Sequence, residues 1–194
     1  MDIFLHNFGF IGFNSFLALI SIALGYLMIR TRHIFLKILY EFLWLIFLPN
    51  TIYILTDVSH LFEDWPKVNS LFKAILTVQY GVFAIFGIIT FVIAVYFFQK
   101  LLEKGNKKKI RITTFIAIFI LNLAVGFAVV LGGIKRSNSW YIFTDPIRVI
   151  NDSLEIIYSQ ELLILSIGIG LLANAIYFLL AEPTTKYFKR ITFL

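Results

Sequence analysis

Four polar side chains in LPNTIYILTDVSHL, Leu48–Leu61, fall at helical spacing: Asn50, Tyr53, Asp57 and His60. Steps of three, four and three residues put an amide, a phenol, a carboxylate and an imidazole on one helix face. An aspartate and a histidine one turn apart can orient each other for acid–base work or share a metal ion. Pro49 stands just before them and removes one helical hydrogen bond, so a kink or an interruption is expected there. A structural reading uses the same residues, with Asp57 capping a helix near the membrane interface and Tyr53 in an aromatic belt.

A second constellation is GGIKRSNSWYIFTDP, Gly132–Pro146. Gly132 and Gly133 are expected to let the chain turn sharply. Lys135 and Arg136 can hold an anionic group, whether a lipid phosphate, a ligand, or Asp57 or Asp145. Trp140 and Tyr141 read as interfacial anchors. The expectation is a polar depression with Asn50, Tyr53, Asp57 and His60 on one wall and Arg136, Asn138 and Asp145 on the other. Asp57 and His60 are the candidate catalytic pair, and the remaining five are candidate ligand contacts.

Other chemistry is thinner. Glu41 is the carboxylate inside an apolar stretch; Lys37, one turn away, supplies a local ion pair, and proton or ion handling is the alternative. His6 and His60 could meet nearby acids, but no two histidines have close ligand spacing and there is no cysteine, so no metal site is expected. Neither a Walker loop, a G-x-S-x-G elbow nor a dinucleotide fingerprint is present, so no cofactor is expected.

The elements that must carry these residues are membrane spans. The 194 residues are 60% hydrophobic and 14% charged, with mean hydropathy +0.89, more apolar surface than a soluble domain can bury. Five stretches are long enough to cross the bilayer: Phe8–Ile29, Ile34–Thr56, Leu71–Phe98, Ile112–Gly133 and Leu162–Ala181. The fold class expected is therefore an all-α bundle of five transmembrane helices in a single integral membrane domain. Basic residues gather after the first span (Arg30, Arg32, His33, Lys37), after the third (Lys100, Lys104, Lys107, Lys108, Lys109, Arg111) and after the fifth (Lys186, Lys189, Arg190). Acids gather in the other two connections: Asp57, Glu63 and Asp64, then Asp145, Asp152, Glu155 and Glu161. The positive-inside rule then sets the N-terminus outside and the C-terminus in the cytoplasm. The same clustering explains the net charge of +6 through the bilayer partner and argues against nucleic acid. No basic residue precedes the first apolar run, so a cleavable signal peptide is not expected.

Within the second acidic connection, Asp145 can cap a helix that begins at Pro146. Ile147, Ile150, Leu154 and Ile157 then form one apolar face, which predicts a short amphipathic helix on the outer membrane surface; packing against the bundle is the alternative. Stripes of small and amide residues read as packing seams: Asn14, Ala18, Ser21 and Gly25; Asn122 and Gly126; Ser166, Gly170 and Asn174.

At LPNTIYILTDVSHL, and at LGGIKRSNSW followed by Asp145–Pro146, the chain resembles the DUF1361 family of small bacterial membrane proteins of unassigned function. The resemblance runs from about Asn14 into the fifth span. Two positions depart from the family pattern: Gly133 where arginine is expected, and Ser137 where tryptophan is expected. The resemblance implies a multi-pass protein of a bacterial cytoplasmic membrane and supplies no activity. Three functions stay open: a non-catalytic binding or envelope-associated protein, a membrane enzyme acting outward on a lipid-linked substrate through Asp57 and His60, and a small transporter subunit built on Glu41.

Overall fold

The computed structural model describes residues 2–103 and 112–192, with side chains for 7–103 and 112–184. The basic run 104–111 and the side chains of His6, Lys186, Lys189 and Arg190 lie outside the described residues. The elements are α1 (Asp2–Arg30), α2 (Ile34–Phe47), α3 (Pro49–Thr56), α4 (Ser59–Asp64), a 3-10 turn (Trp65–Lys67), α5 (Ser70–Leu102), α6 (Ile112–Gly133), α7 (Tyr141–Thr144), α8 (Pro146–Tyr158) and α9 (Gln160–Thr192).

Five helices are long and apolar enough to cross a membrane: α1, the α2–α4 run, α5, α6 and α9. They coincide with the five apolar stretches of the sequence. Two overrun them clearly. The second continues past Thr56 as far as Lys67, and the last passes Ala181 and carries Pro183 within the helix. The third is 33 residues long, more than a bilayer needs at about 1.5 Å per residue, so it tilts or projects. Its start is fixed by Asn69, whose side chain accepts from Phe72 N at 3.0 Å.

The interruption expected at Pro49 is a single step. Leu48 keeps helical angles (φ −54°, ψ −43°), and Pro49 becomes the first residue of α3, where its missing N–H is harmless. Carbonyls around the break are taken up locally: Asn50 Nδ2 donates to Phe47 O at 3.1 Å and Thr51 Oγ1 to Leu48 O at 2.7 Å. Elsewhere Ser21, Thr90 and Ser166 likewise donate to their own helices, which satisfies hydroxyls that find no water in lipid.

α5 stands at the centre. More than half of its apolar window is buried (56%), against 28–39% for the other four spans, and it packs against α1, α3 and α9. Leu48, Ile52, Phe91, Val95 and Tyr177 meet in the main core, where Trp44 stacks on Phe98 at 5.4 Å. α6 and α9 approach closely enough that a Cβ on Gly126 would lie 2.3 Å from Gly170 N and Ser166 O. Beside them Asn122 Nδ2 donates to Asn174 Oδ1 at 3.1 Å, so the stripes on α6 and α9 form one packing seam.

Candidate functional site

The site lies at the end of the bundle that carries Asp57, Asp64 and Asp145, called here the acidic end. A cavity of about 490 Å³ opens there between α1, the α2–α3 break, the end of α6 and the segment 137–140. Its polar lining comes from Asn14, Asn50, Tyr53, Ser137, Asn138 and Ser139. Apolar side chains supply the rest, and among the described residues no Asp, Glu, Lys, Arg or His lines it.

Each polar group reaches the cavity for a local reason. Asn50 and Tyr53 are one turn apart on α3 and share its face. Asn50 Nδ2 also meets Ser139 Oγ at 3.4 Å, and Ser139 Oγ donates to Ile46 O at 3.3 Å, so the break at Pro49 is tied to the 137–140 segment. Tyr53 fits because Gly133 has no side chain: a Cβ there would lie 3.1 Å from Tyr53 Cε2. Any side chain at Gly133 would press on this ring.

The chain turns at Arg136 rather than at the glycine pair. Gly132 and Gly133 complete α6, and Arg136 has φ 54°. Ser137 N bonds back across six residues to Leu131 O at 3.1 Å, closing a wide turn after α6 with Arg136 in the left-handed region that favours glycine. This corrects the expectation of a glycine turn. A left-handed residue is needed one turn later, where the last α6 carbonyls have to be satisfied.

The four-residue face predicted from Asn50 to His60 is split. α3 ends at Thr56, and the turn at 57–58 breaks the helical phase. Asp57 turns toward α1 instead of the cavity; it is 3% exposed and accepts from Asn14 Nδ2 at 2.6 Å. His60 lies on α4, with Nδ1 3.1 Å from Glu63 Oε2 and its ring edge against Phe10 at 5.5 Å. Among the described residues no side-chain hydrogen bond joins Asp57 to His60; their link is through the backbone, His60 N donating to Asp57 O at 3.0 Å. Asp145 caps α8 through Oδ1 and Arg148 N at 3.2 Å, as its place before Pro146 predicts, and stays outside the cavity. Arg136 is exposed and also outside the lining, next in the chain to Ser137, which belongs to it. Glu41 pairs with Lys37 at 3.8 Å and stays outside the lining, although its neighbour Phe42 belongs to it. No three His, Asp or Glu side chains converge as metal ligands among the described residues.

Two contacts were not foreseen. Asn7 and Asn14 are seven residues apart on α1, and Asp64 and Asp57 are seven apart on the antiparallel second crossing. The structure pairs them in register, Asn14 with Asp57 at 2.6 Å and Asn7 with Asp64 at 3.5 Å. Equal spacing of amides and carboxylates on adjacent spans is the signal that would have found them.

The segment over the cavity hangs on α8. Lys135 pairs with Glu155, Ser137 Oγ donates to Asp152, and Arg148 Nη2 donates to Arg136 O at 3.4 Å. Arg148 also lies 3.6 Å from Asp152 and stacks over Tyr141 at 4.6 Å. α8 rests on the bundle through Ile156, while Ile147, Ile150, Leu154 and Ile157 remain 44–71% exposed. Its predicted apolar face therefore does not pack on the bundle.

Five helices of membrane-crossing length define a polytopic helical membrane protein. The chain belongs to the DUF1361 family, described as protein of unknown function, which it matches over residues 13–176. That stretch takes in every residue of the cavity lining. No curated protein and no solved structure matches the chain.

Proposed function

We propose that this is a binding protein of the bacterial cytoplasmic membrane that holds a ligand, without transforming it, in the cavity at its acidic end. That end faces outward by the positive-inside rule. One observation carries the reading: the Tyr53 hydroxyl and the Asn138 amide line the cavity with no hydrogen bond among the described residues. Polar groups in a largely apolar pocket, left without an internal partner, are the usual means of fixing a ligand's orientation. By contrast, the groups that would do acid–base work are already engaged, Asp57 by Asn14 and His60 by Glu63.

A membrane enzyme is the second reading, and one contact favours it. Asn14 both lines the cavity and holds Asp57, so the carboxylate is one hydrogen bond behind the ligand space.

The test uses the gently extracted full chain and native mass spectrometry. A co-purifying small molecule is expected near one per chain, and Tyr53→Phe with Asn138→Leu should remove it without changing the helix content. Its retention in that double variant would refute the cavity as its site. For the enzyme reading, Asp57→Asn should change the chemical state of the retained molecule; an identical mass decides for binding. Because the chain has no cysteine, Asn138→Cys offers a unique thiol. A membrane-impermeant maleimide should label it from outside intact cells, and labelling only after lysis would reverse the orientation.

A further inference from the structure

We propose that the cavity takes one anionic phospholipid sideways from the surrounding leaflet, with its ester region on the free amide and phenol and its phosphate at Arg136. The inference deepens the binding reading and rests on it.

Three observations converge. The first is the rim. Phe13, Phe42, Leu45, Trp140 and Ile142 line the cavity and are each 37–51% exposed. Phe13, Phe42 and Leu45 belong to helices of membrane-crossing length, where exposure means contact with acyl chains. The cavity is thus continuous with lipid rather than walled from it.

The second is the neutral polar lining. Ester carbonyls accept hydrogen bonds and donate none, so they need donors. Tyr53 supplies an O–H and Asn138 an NH₂, both without an internal acceptor among the described residues. A charged group would not settle deep in this part of the cavity, because nothing charged lines it among the described residues.

The third is Arg136. Its neighbours are neutralised, Lys135 by Glu155 and Arg148 by Asp152, whereas its guanidinium has no acidic partner among the described residues. It also occupies a left-handed backbone position (φ 54°) at the end of α6 where glycine is preferred. An arginine at a strained backbone position points to a use for its side chain. A planar fork of donors next in the chain to Ser137 and Asn138 of the lining suits a phosphate at the lipid headgroup level. A water-soluble phosphoester could use Arg136 alike but has nothing to lay over the aromatic rim, so the lipid is favoured.

The experiment keeps Trp140 as the sole tryptophan through Trp44→Phe and Trp65→Phe, with the full chain in phosphatidylcholine nanodiscs. Chain-brominated phosphatidylglycerol and phosphatidylcholine are added in turn as quenchers. Half-quenching by the anionic lipid is expected at about a fivefold lower mole fraction, the order of one charge-assisted contact. Arg136→Gly relieves the backbone, so it should fold at least as well as the parent, and it should bring the two lipids to the same value. Equal quenching in the parent chain overturns the proposal, since that is ordinary boundary lipid. Release of the quenching by excess sn-glycerol 3-phosphate also overturns it and assigns the site to a free phosphoester. In either case, a molecule retained in the cavity by native mass spectrometry leaves the binding reading standing. If nothing is retained as well, both fail.

Discussion

Along the α6–α9 seam, Asn122 and Asn174 bond to each other beside two glycines whose backbones touch. At the acidic end, Asn14, Asn50 and Asn138 stand around about 490 Å³ of open space. Both regions use the same side chain, and the backbone decides the difference. Gly126 and Gly170 let α6 and α9 close until Asn174 Nδ2 reaches Phe119 O across the seam, beside its own Gly170 O, and only Asn122 Oδ1 of the pair is left unpartnered among the described residues. Near the cavity, the step at Pro49 and the turn at Arg136 carry the walls off straight helical paths, and the seam cannot continue. Amides between closely packed helices are glue; amides around a break are lining.

The comparison breaks first at Gly126. Alanine is the better helix former, yet a Cβ there meets backbone that cannot yield. Gly126→Ala is expected to destabilise by about 3 kcal/mol, read from unfolding in detergent or lipid. A neutral outcome would mean the seam is looser than described. Next comes the polar contact behind the cavity. Asn14→Leu leaves a buried carboxylate without its donor and should lower stability by about 2 kcal/mol. Asp57→Leu on that background should recover part of the loss, and strict additivity of the two would show that they do not interact.

In the seam itself, Asn122→Leu and Asn174→Leu should each lower stability by about 1 kcal/mol, with the double variant well below the sum. The smallest effect belongs to the cavity. Tyr53→Phe and Asn138→Leu remove groups with no internal partner, so each should stay within about 0.5 kcal/mol of the parent. A larger loss from either would recast the lining as structural. The ordering, seam glycine above buried contact above seam amide above lining, is the sharpest form of the comparison.

Much of this frame could be read from the residues. The five apolar runs, the Asp145–Pro146 start of α8 and the Lys37–Glu41 pair all rest on local spacing, and local spacing is what periodicity reports. Grouping Asn50, Tyr53 and Asn138 at one end followed from the sides assigned to the connections. What failed needed three-dimensional information. His60 left the shared face because two residues of turn, 57–58, shifted the helical phase, and no pattern in TDVS announces it. Asp57 was foreseen as a cap or a catalyst, but its partner depends on which spans are neighbours and in what register. The role of Gly133 could not be seen before Tyr53 was known to lie over it.

The matched spacing of Asn7 and Asn14 with Asp64 and Asp57 has a consequence for biogenesis. Both pairs join the first crossing to the second, so they are complete once these two segments have left the ribosome and entered the membrane. A carboxylate travelling alone into hydrocarbon is costly, and one that meets its amide within the first hairpin is spared that exposure while the remaining three spans are still being made. The order of synthesis thus matches the order of need. The hairpin that carries the buried acid assembles first, and the helices and segment that close the cavity arrive after its most vulnerable group is already shielded.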